Sequence, residues 1–260
     1  MSLLRFVFDL DGTICFKGKP ISNTILHALS ELEETGHEVI FASARPIRDM
    51  LPVIDKAFHH HTMIGGNGSL IAKEGKVIQS SSFSADQMSE MMNLIEQYHV
   101  TYLIDGEWDY AYTGPDSHPI LQNLDPAKLA KKVHLDCLDS IVKVLFLTSD
   151  NMDEIADQLL KLDVYVNKHR NENVLDISPS GINKWTALKS LGIKENTYIA
   201  FGNDANDIPM FENAIYTVMI GHHEHLAPLA KETIPLNEDV EQKIAERILE
   251  LSKTYRSIHI

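Results

Sequence analysis

Apolar positions along this chain alternate between two periods. Residues 4–13 read Leu-Arg-Phe-Val-Phe-Asp-Leu-Asp-Gly-Thr, a near-continuous apolar run that stops at two carboxylates and a glycine. Such a run suits a strand buried on both faces that leaves through a tight turn. A second run at 38–42 leads to Ser43, and a third at 198–201 leads to Gly202-Asn203-Asp204-Ala205-Asn206-Asp207. Between the first two, Ile25, Leu26, Leu29 and Leu32 recur at helical spacing behind a capping Ser22. Pro46 then opens a helical pattern through Ile47, Met50, Leu51, Ile54 and Phe58. This alternation predicts a parallel sheet. The run His59-His60-His61 reads as a solvated loop, because consecutive side chains point in different directions. Residues 69–79 read as a hairpin around Glu74-Gly75.

From about residue 81 the texture changes. Ser84 and Gln87 form a capping box for a helix carrying Met88, Met91, Met92 and Ile95. Short strands are expected at 102–104, 108–112, 141–148, 164–166 and 174–177, with helices starting at Asp125-Pro126 and covering 152–162. Beyond Pro179-Ser180-Gly181, Asn183 can cap a helix with Lys184 in its first turn. A helix from Ile208-Pro209, a strand at 216–220 and a helix at 240–251 complete the pattern. The expected fold class is α/β: a Rossmann-like parallel-sheet core from residues 1–80 and 183–260, with an α+β unit, 81–182, inserted into it.

The 260 residues suffice for a sizeable core, and the contents of 44% hydrophobic and 23% charged residues are ordinary for a globular protein. A formal charge of −14 argues against nucleic acid or an anionic membrane as partner, since phosphates would be repelled. Two separated cysteines, Cys15 and Cys137, give neither a disulfide framework nor a thiolate metal cluster. With no apolar run long enough to span a bilayer, a cytoplasmic protein is expected.

In an open parallel sheet, ligands bind beyond the carboxyl ends of the strands, where Asp9, Asp11, Ser43, Asn203, Asp204 and Asp207 all fall. Two carboxylates one residue apart repel unless one is protonated or a cation lies between them, and a hard divalent ion would resolve the conflict. Carboxylates, a hydroxyl and a lysine together suit phosphoryl transfer, in which a carboxylate can be the nucleophile. Each piece alone has a plain structural reading: a loop hydroxyl, a helix-end lysine, a polar turn.

The series Asp9-Leu10-Asp11-Gly12-Thr13, then Ser43, then Lys184, then Gly202 through Met210 resembles the haloacid dehalogenase (HAD) superfamily, and in particular its Cof-type phosphatases, over the whole chain. The resemblance implies that residues 81–182 are a cap domain conferring substrate specificity. It further implies a nucleophilic Asp9, an acid/base Asp11, and phosphoryl contacts from Ser43, the backbone at Leu10 and Ala44, Lys184 and Asn206. Mg2+ would be bound by Asp9, the Asp11 carbonyl and Asn203, with Asp207 supporting the metal shell or orienting Lys184. Arg45 and Asn67 match positions near the junction of core and cap. Two positions depart from the pattern: Ala44 replaces a usual glycine, and Asn203 replaces a usual metal-binding aspartate, which removes a negative charge. The implied activity is Mg2+-dependent hydrolysis of a small phosphorylated metabolite through an aspartyl phosphate. Phosphosugar mutation, or metabolite binding with weak turnover, are the alternatives.

Overall fold

The computed structural model describes residues 4–122, 124–149, 151–169 and 174–257. Strands β1 (Arg5–Phe8), β2 (Glu38–Ala42), β3 (Thr62–Gly65), β4 (Leu70–Lys73) and β5 (Lys76–Ser80) supply five strands of an eight-stranded sheet. Five strands of a second sheet follow in sequence: β6 (Thr101–Asp105), β7 (Tyr110–Tyr112), β8 (Lys143–Thr148), β9 (Val164–His169) and β10 (Val174–Pro179). The first sheet then resumes with β11 (Tyr198–Gly202), β12 (Tyr216–Ile220) and β13 (Glu232–Ile234). Its order is β13-β12-β11-β1-β2-β3-β4-β5, parallel from β13 to β3 and closed at one edge by the antiparallel β4–β5 hairpin. The second sheet, ordered β7-β6-β8-β10-β9, is antiparallel throughout. An α/β core with an inserted α+β cap is therefore the architecture, as the alternation of apolar runs predicts.

Alternation along β1 explains the layers. Phe6 and Phe8 point to the face covered by α1 (Asn23–Glu34) and, from the far end of the chain, the helix over Val240–Ser257, meeting Ile25, Leu29, Ile244 and Ile248. Val7 points to the opposite face, among Leu188 and Met210. All of these side chains are fully buried. On the cap, Val144 and Phe146 of β8 pack with Met91 and Ile155 of the two helices Ala85–Tyr98 and Met152–Leu159, leaving the other face of that sheet turned toward the core.

Four local expectations are corrected. No helix follows Asp125-Pro126: Asp125 has φ 44, its carboxylate accepts from Leu129 N and Ala130 N at 2.7 and 2.9 Å, and its own N–H donates to Asp49 Oδ1 at 2.8 Å. Those donors are spent on a side chain, so no helical ladder forms. The helix opened by Pro46 is only Ile47–Met50, since Pro52 offers no N–H to continue it. Ser22 sits at an N-cap but makes no side-chain capping bond. The histidine run is also less solvated than expected: His61 is buried, with Nε2 2.9 Å from Glu33.

Core and cap are joined by a polar seam. Arg48, fully buried, donates to Asp105 Oδ1 at 2.5 Å and to the Trp108 carbonyl at 2.9 Å, and its guanidinium lies 5.1 Å from the Tyr110 ring centroid. Lys143 Nζ, in the cap, pairs with Asp176 at 3.0 Å and reaches the Ala44 carbonyl of the core at 3.0 Å. Burial pushes the Asp49 carboxyl up from 3.8 to about 6, partly opposed by Arg48. Because the folded pKa exceeds the unfolded one, the stability of the protonated form is complete below pH 3.8 and is lost as pH rises through about 6. Asp49→Asn, which keeps the acceptor for Asp125 N, should therefore gain about 2–3 kcal/mol relative to wild type between pH 4 and 7. Urea unfolding at the two pH values measures that difference.

Candidate active site

Parallel pairing brings three strand ends side by side. Phe8 of β1 is in register with Phe201 of β11 and with Phe41 of β2, so Asp9, Gly202-Asn203 and Ser43 emerge together. Gly12 takes φ +79 in the turn after Asp9, where a Cβ would overlap the Asn203 side chain. Leu10 sends its side chain into the core and its carbonyl accepts from Thr13, Ile14 and Cys15 N–H groups, so only its backbone N–H is left to face the site.

A capping box starts the helix Lys184–Ser190: Asn183 Oδ1 accepts from Thr186 N, and Asn183 N donates to Thr186 Oγ1, both at 2.9 Å. That start places Lys184 Nζ between Asp9 Oδ1 and Asp207 Oδ1, 2.6 Å from each, in a spot where lysine and Asp207 are fully buried and Asp9 nearly so. Burial opposes the Lys184 charge, and the two carboxylates outweigh it, raising its pKa above the ordinary lysine value. Burial likewise pushes Asp9 up to about 7, against the pull of Lys184. The other Asp207 oxygen accepts from Asn203 N at 2.8 Å and Asp204 N at 3.1 Å. Both its oxygens are thus engaged in holding Lys184 and the 203–204 backbone.

Asp11 is gripped by Arg45, whose Nε and Nη2 donate to its two oxygens at 2.7 and 2.6 Å. Ser43 Oγ accepts from Arg45 N at 3.1 Å, and Asn206 Nδ2 donates to Asn67 Oδ1 at 3.0 Å. Asp9, Asp11, Ser43, Ala44, Asn203 and Asn206 line one cavity of about 230 Å3, together with Asn67 and, from the cap, Asn167 and Asp176. The expected residues therefore converge, with Lys184 and Asp207 behind Asp9 and Arg45 beside Asp11.

Several neighbours were missed in the sequence. Thr13 Oγ1 lies 2.9 Å from Asp9 Oδ2 and 3.2 Å from Asn203 Oδ1, and Lys143 holds the Ala44 loop. Asp176 had left a trace: a carboxylate between Leu175 and Ile177 marks the face of the strand turned away from the helices. Asn167 lies opposite it in register on β9.

The donor set fits a hard cation. Asp9 Oδ2 and Asn203 Oδ1 converge on the single hydroxyl proton of Thr13, which leaves lone pairs on both oxygens for a further positive partner. Oxygen ligands with a carboxylate suit Mg2+.

An α/β sheet that gathers carboxylates, a hydroxyl and a buried lysine at its strand ends under an inserted cap defines the class of haloacid dehalogenase-like hydrolases. The family model of that description matches residues 6–246, and the chain belongs to this family. It is 24% identical over 250 residues, 89% of this chain and 92% of the relative, to the 5-amino-6-(5-phospho-D-ribitylamino)uracil phosphatase of Bacillus subtilis. It is also 24% identical over 235 residues, 83% and 82% of the two chains, to an HMP-PP phosphatase of Serratia proteamaculans. Among solved structures, a Thermotoga maritima protein superposes with a TM-score of 0.78 at 24% identity over 95% of this chain and 97% of its own. A HAD subclass IIB sugar phosphatase gives 0.74 at 18% identity over 95% and 98%. These two likenesses are of fold. No helix among the described residues is long and apolar enough to cross a membrane.

Proposed function

We propose that the protein is a Mg2+-dependent phosphatase that hydrolyses a phosphomonoester of a small metabolite through a phosphoryl-Asp9 intermediate. The observation that carries this reading is the Asp9–Lys184–Asp207 chain opening into a cavity beside Asp11 and Ser43. The names of the relatives, phosphatases of small phosphorylated metabolites, support the substrate class.

Asp9 attacks phosphorus, and the phosphorus–oxygen ester bond breaks. Asp11, protonated, gives its proton to the leaving oxygen; as a carboxylate it then takes a proton from water, whose oxygen attacks phosphorus. The bond to Asp9 breaks and inorganic phosphate leaves. Lys184, Ser43 Oγ, Asn206 and the backbone N–H groups of Leu10 and Ala44 neutralise and orient the phosphoryl oxygens. Asp207 keeps Lys184 in place. Arg45 must release Asp11 before that carboxyl can reach the leaving oxygen, since the guanidinium engages both of its oxygens. Asp9, the Asp11 carbonyl and Asn203 would hold Mg2+, which when bound supplies positive charge beside the phosphoryl group. Residues 81–182 act as a cap that excludes bulk water.

Phosphate release from an aryl phosphate, with and without Mg2+, tests the reading; inactivity across divalent metals and a broad phosphate panel would contradict it. Asn203→Asp restores a negative ligand and should lower the half-saturating Mg2+ concentration by about tenfold. The same substitution should lower the melting temperature in chelator, where a further carboxylate joins Asp9 and Asp207 without a counter-charge, and Mg2+ should reverse that loss.

A further inference from the structure

Consecutive side chains ordinarily diverge, yet the turn that enters β3 brings two neighbouring histidines together. His59 N donates to the Lys56 carbonyl and His61 N to the Phe58 carbonyl, both at 3.2 Å, so the 3-10 turn Lys56–Phe58 continues into the histidine run. The rings of His60 and His61 then lie side by side, with centroids 4.1 Å apart. Glu33, in the last turn of α1, faces both: its Oε1 is 3.2 Å from His60 Nε2 and 2.9 Å from His61 Nε2. Among the described residues, no other three histidine, cysteine or carboxylate side chains gather their ligand atoms in this way.

Hydrogen bonding does not account for the arrangement. His60 Nδ1 donates to the Ala57 carbonyl at 2.7 Å, so the neutral ring has a bare lone pair at Nε2, facing a carboxylate oxygen that also only accepts. His61 is 8% exposed, and its Nε2 has no hydrogen-bond partner among the described residues, although the carboxylate is close. A cation between the three atoms reconciles them. The end of α1 favours one as well: Glu31, Glu33 and Glu34 gather there with no basic residue in the last turn, where the helix dipole is negative.

We propose that Glu33, His60 and His61 bind one Zn2+, with water as the fourth ligand, at a site separate from the catalytic cavity. Tetrahedral Zn2+ with ligands about 2.0–2.2 Å away sets its donor atoms roughly 3.3–3.6 Å apart. The two distances to Glu33, 3.2 and 2.9 Å, need only a small opening to match. Two imidazoles select a first-row transition ion over Mg2+, which takes oxygen ligands. The bond from His60 Nδ1 to a backbone carbonyl is the outer contact that a zinc-bound histidine makes. Glu33 and His60 both reach solvent, which leaves the fourth position to water. The site precedes Thr62, the first residue of β3, at the amino ends of the strands, whereas Asp9 and Ser43 follow their carboxyl ends. The ion therefore clamps the end of α1 to the entry of β3 and takes no part in phosphoryl transfer.

Calorimetric titration with Zn2+ in excess Mg2+ tests the site. One ion per chain should bind with micromolar affinity or better, in wild type and equally in Asp9→Asn, which lacks the catalytic carboxylate. His60→Ala and Glu33→Gln, at partly exposed positions, should each weaken that affinity about tenfold or more. Imidazole nitrogen NMR of the wild-type chain gives a reading that needs no variant: of the 13 histidines, Zn2+ should shift the Nε2 signals of His60 and His61 first. Three results would overturn the proposal. Affinity unchanged in both ligand variants, with shifts spread over other rings, means scattered surface histidines; loss of binding in Asp9→Asn means the catalytic cavity; and no binding at all means a plain histidine–glutamate ion pair.

Discussion

Asp9→Asn should abolish turnover while leaving the protein folded. Asparagine keeps the size and one acceptor oxygen for Lys184, and its amide NH2 can donate to the Thr13 hydroxyl in place of the bond Thr13 now donates, but it removes the nucleophilic carboxylate. Loss of a nucleophile that acts in concert with its neighbours typically removes about 10^4-fold or more of kcat. Lys184 would retain Asp207 at 2.6 Å, so the buried ammonium keeps a counter-charge and the fold should survive. Steady-state phosphate release and a thermal melt read the two effects separately. Full activity in this variant would remove the basis for covalent catalysis at β1.

Lys184→Met should damage both activity and fold. Asp9 and Asp207 would then share a buried site without the cation between them, and one would have to take up a proton. Removing one partner from a buried ion cluster is penalised by about 3–5 kcal/mol. For a chain of this size that corresponds to a melting temperature lower by roughly 6–20 °C. Adding Asp207→Asn to Lys184→Met should recover part of the stability, by removing one of the two stranded carboxylates, and none of the activity. Additive losses in the double variant would mean that the two residues do not share one network.

The parts of this site carried by local sequence were legible in it. Asp9 and Asp11 follow from an apolar run that ends in acids, and the Ser84–Gln87 capping box, a purely local signal, forms as its residues dictate. Lys184 could be placed at a helix start because Asn183 precedes it, although its exact partners required the fold. The remainder was set by which surfaces meet. Alternation in β10 puts Asp176 opposite in facing to Leu175 and Ile177, but not into a catalytic cavity; only the closure of the cap sheet over the Ala44 loop does that. Lys143 likewise looks like an edge charge in a strand until the Ala44 carbonyl is seen 3.0 Å away. Asp125-Pro126 carries a good helix-start signal, yet left-handed backbone at Asp125 and Lys128 and an available carboxylate close a loop instead. Asn203 departs from the aspartate that the resemblance implies, and its position beside Thr13 and Asp9 makes it a neutral oxygen ligand at the same spot.

The central claim is that the phosphoryl group passes through Asp9. Asp11→Asn should slow the second step more than the first, because water then has no base, so acid quenching during turnover of an activated aryl phosphate should trap the intermediate. Mass spectrometry of the digested protein is predicted to find one phosphoryl group on the peptide spanning the end of β1, fragmenting to Asp9. A phosphoryl group on another residue, or undiminished phosphate release with no adduct in a variant that lacks the Asp9 carboxylate, would contradict the account.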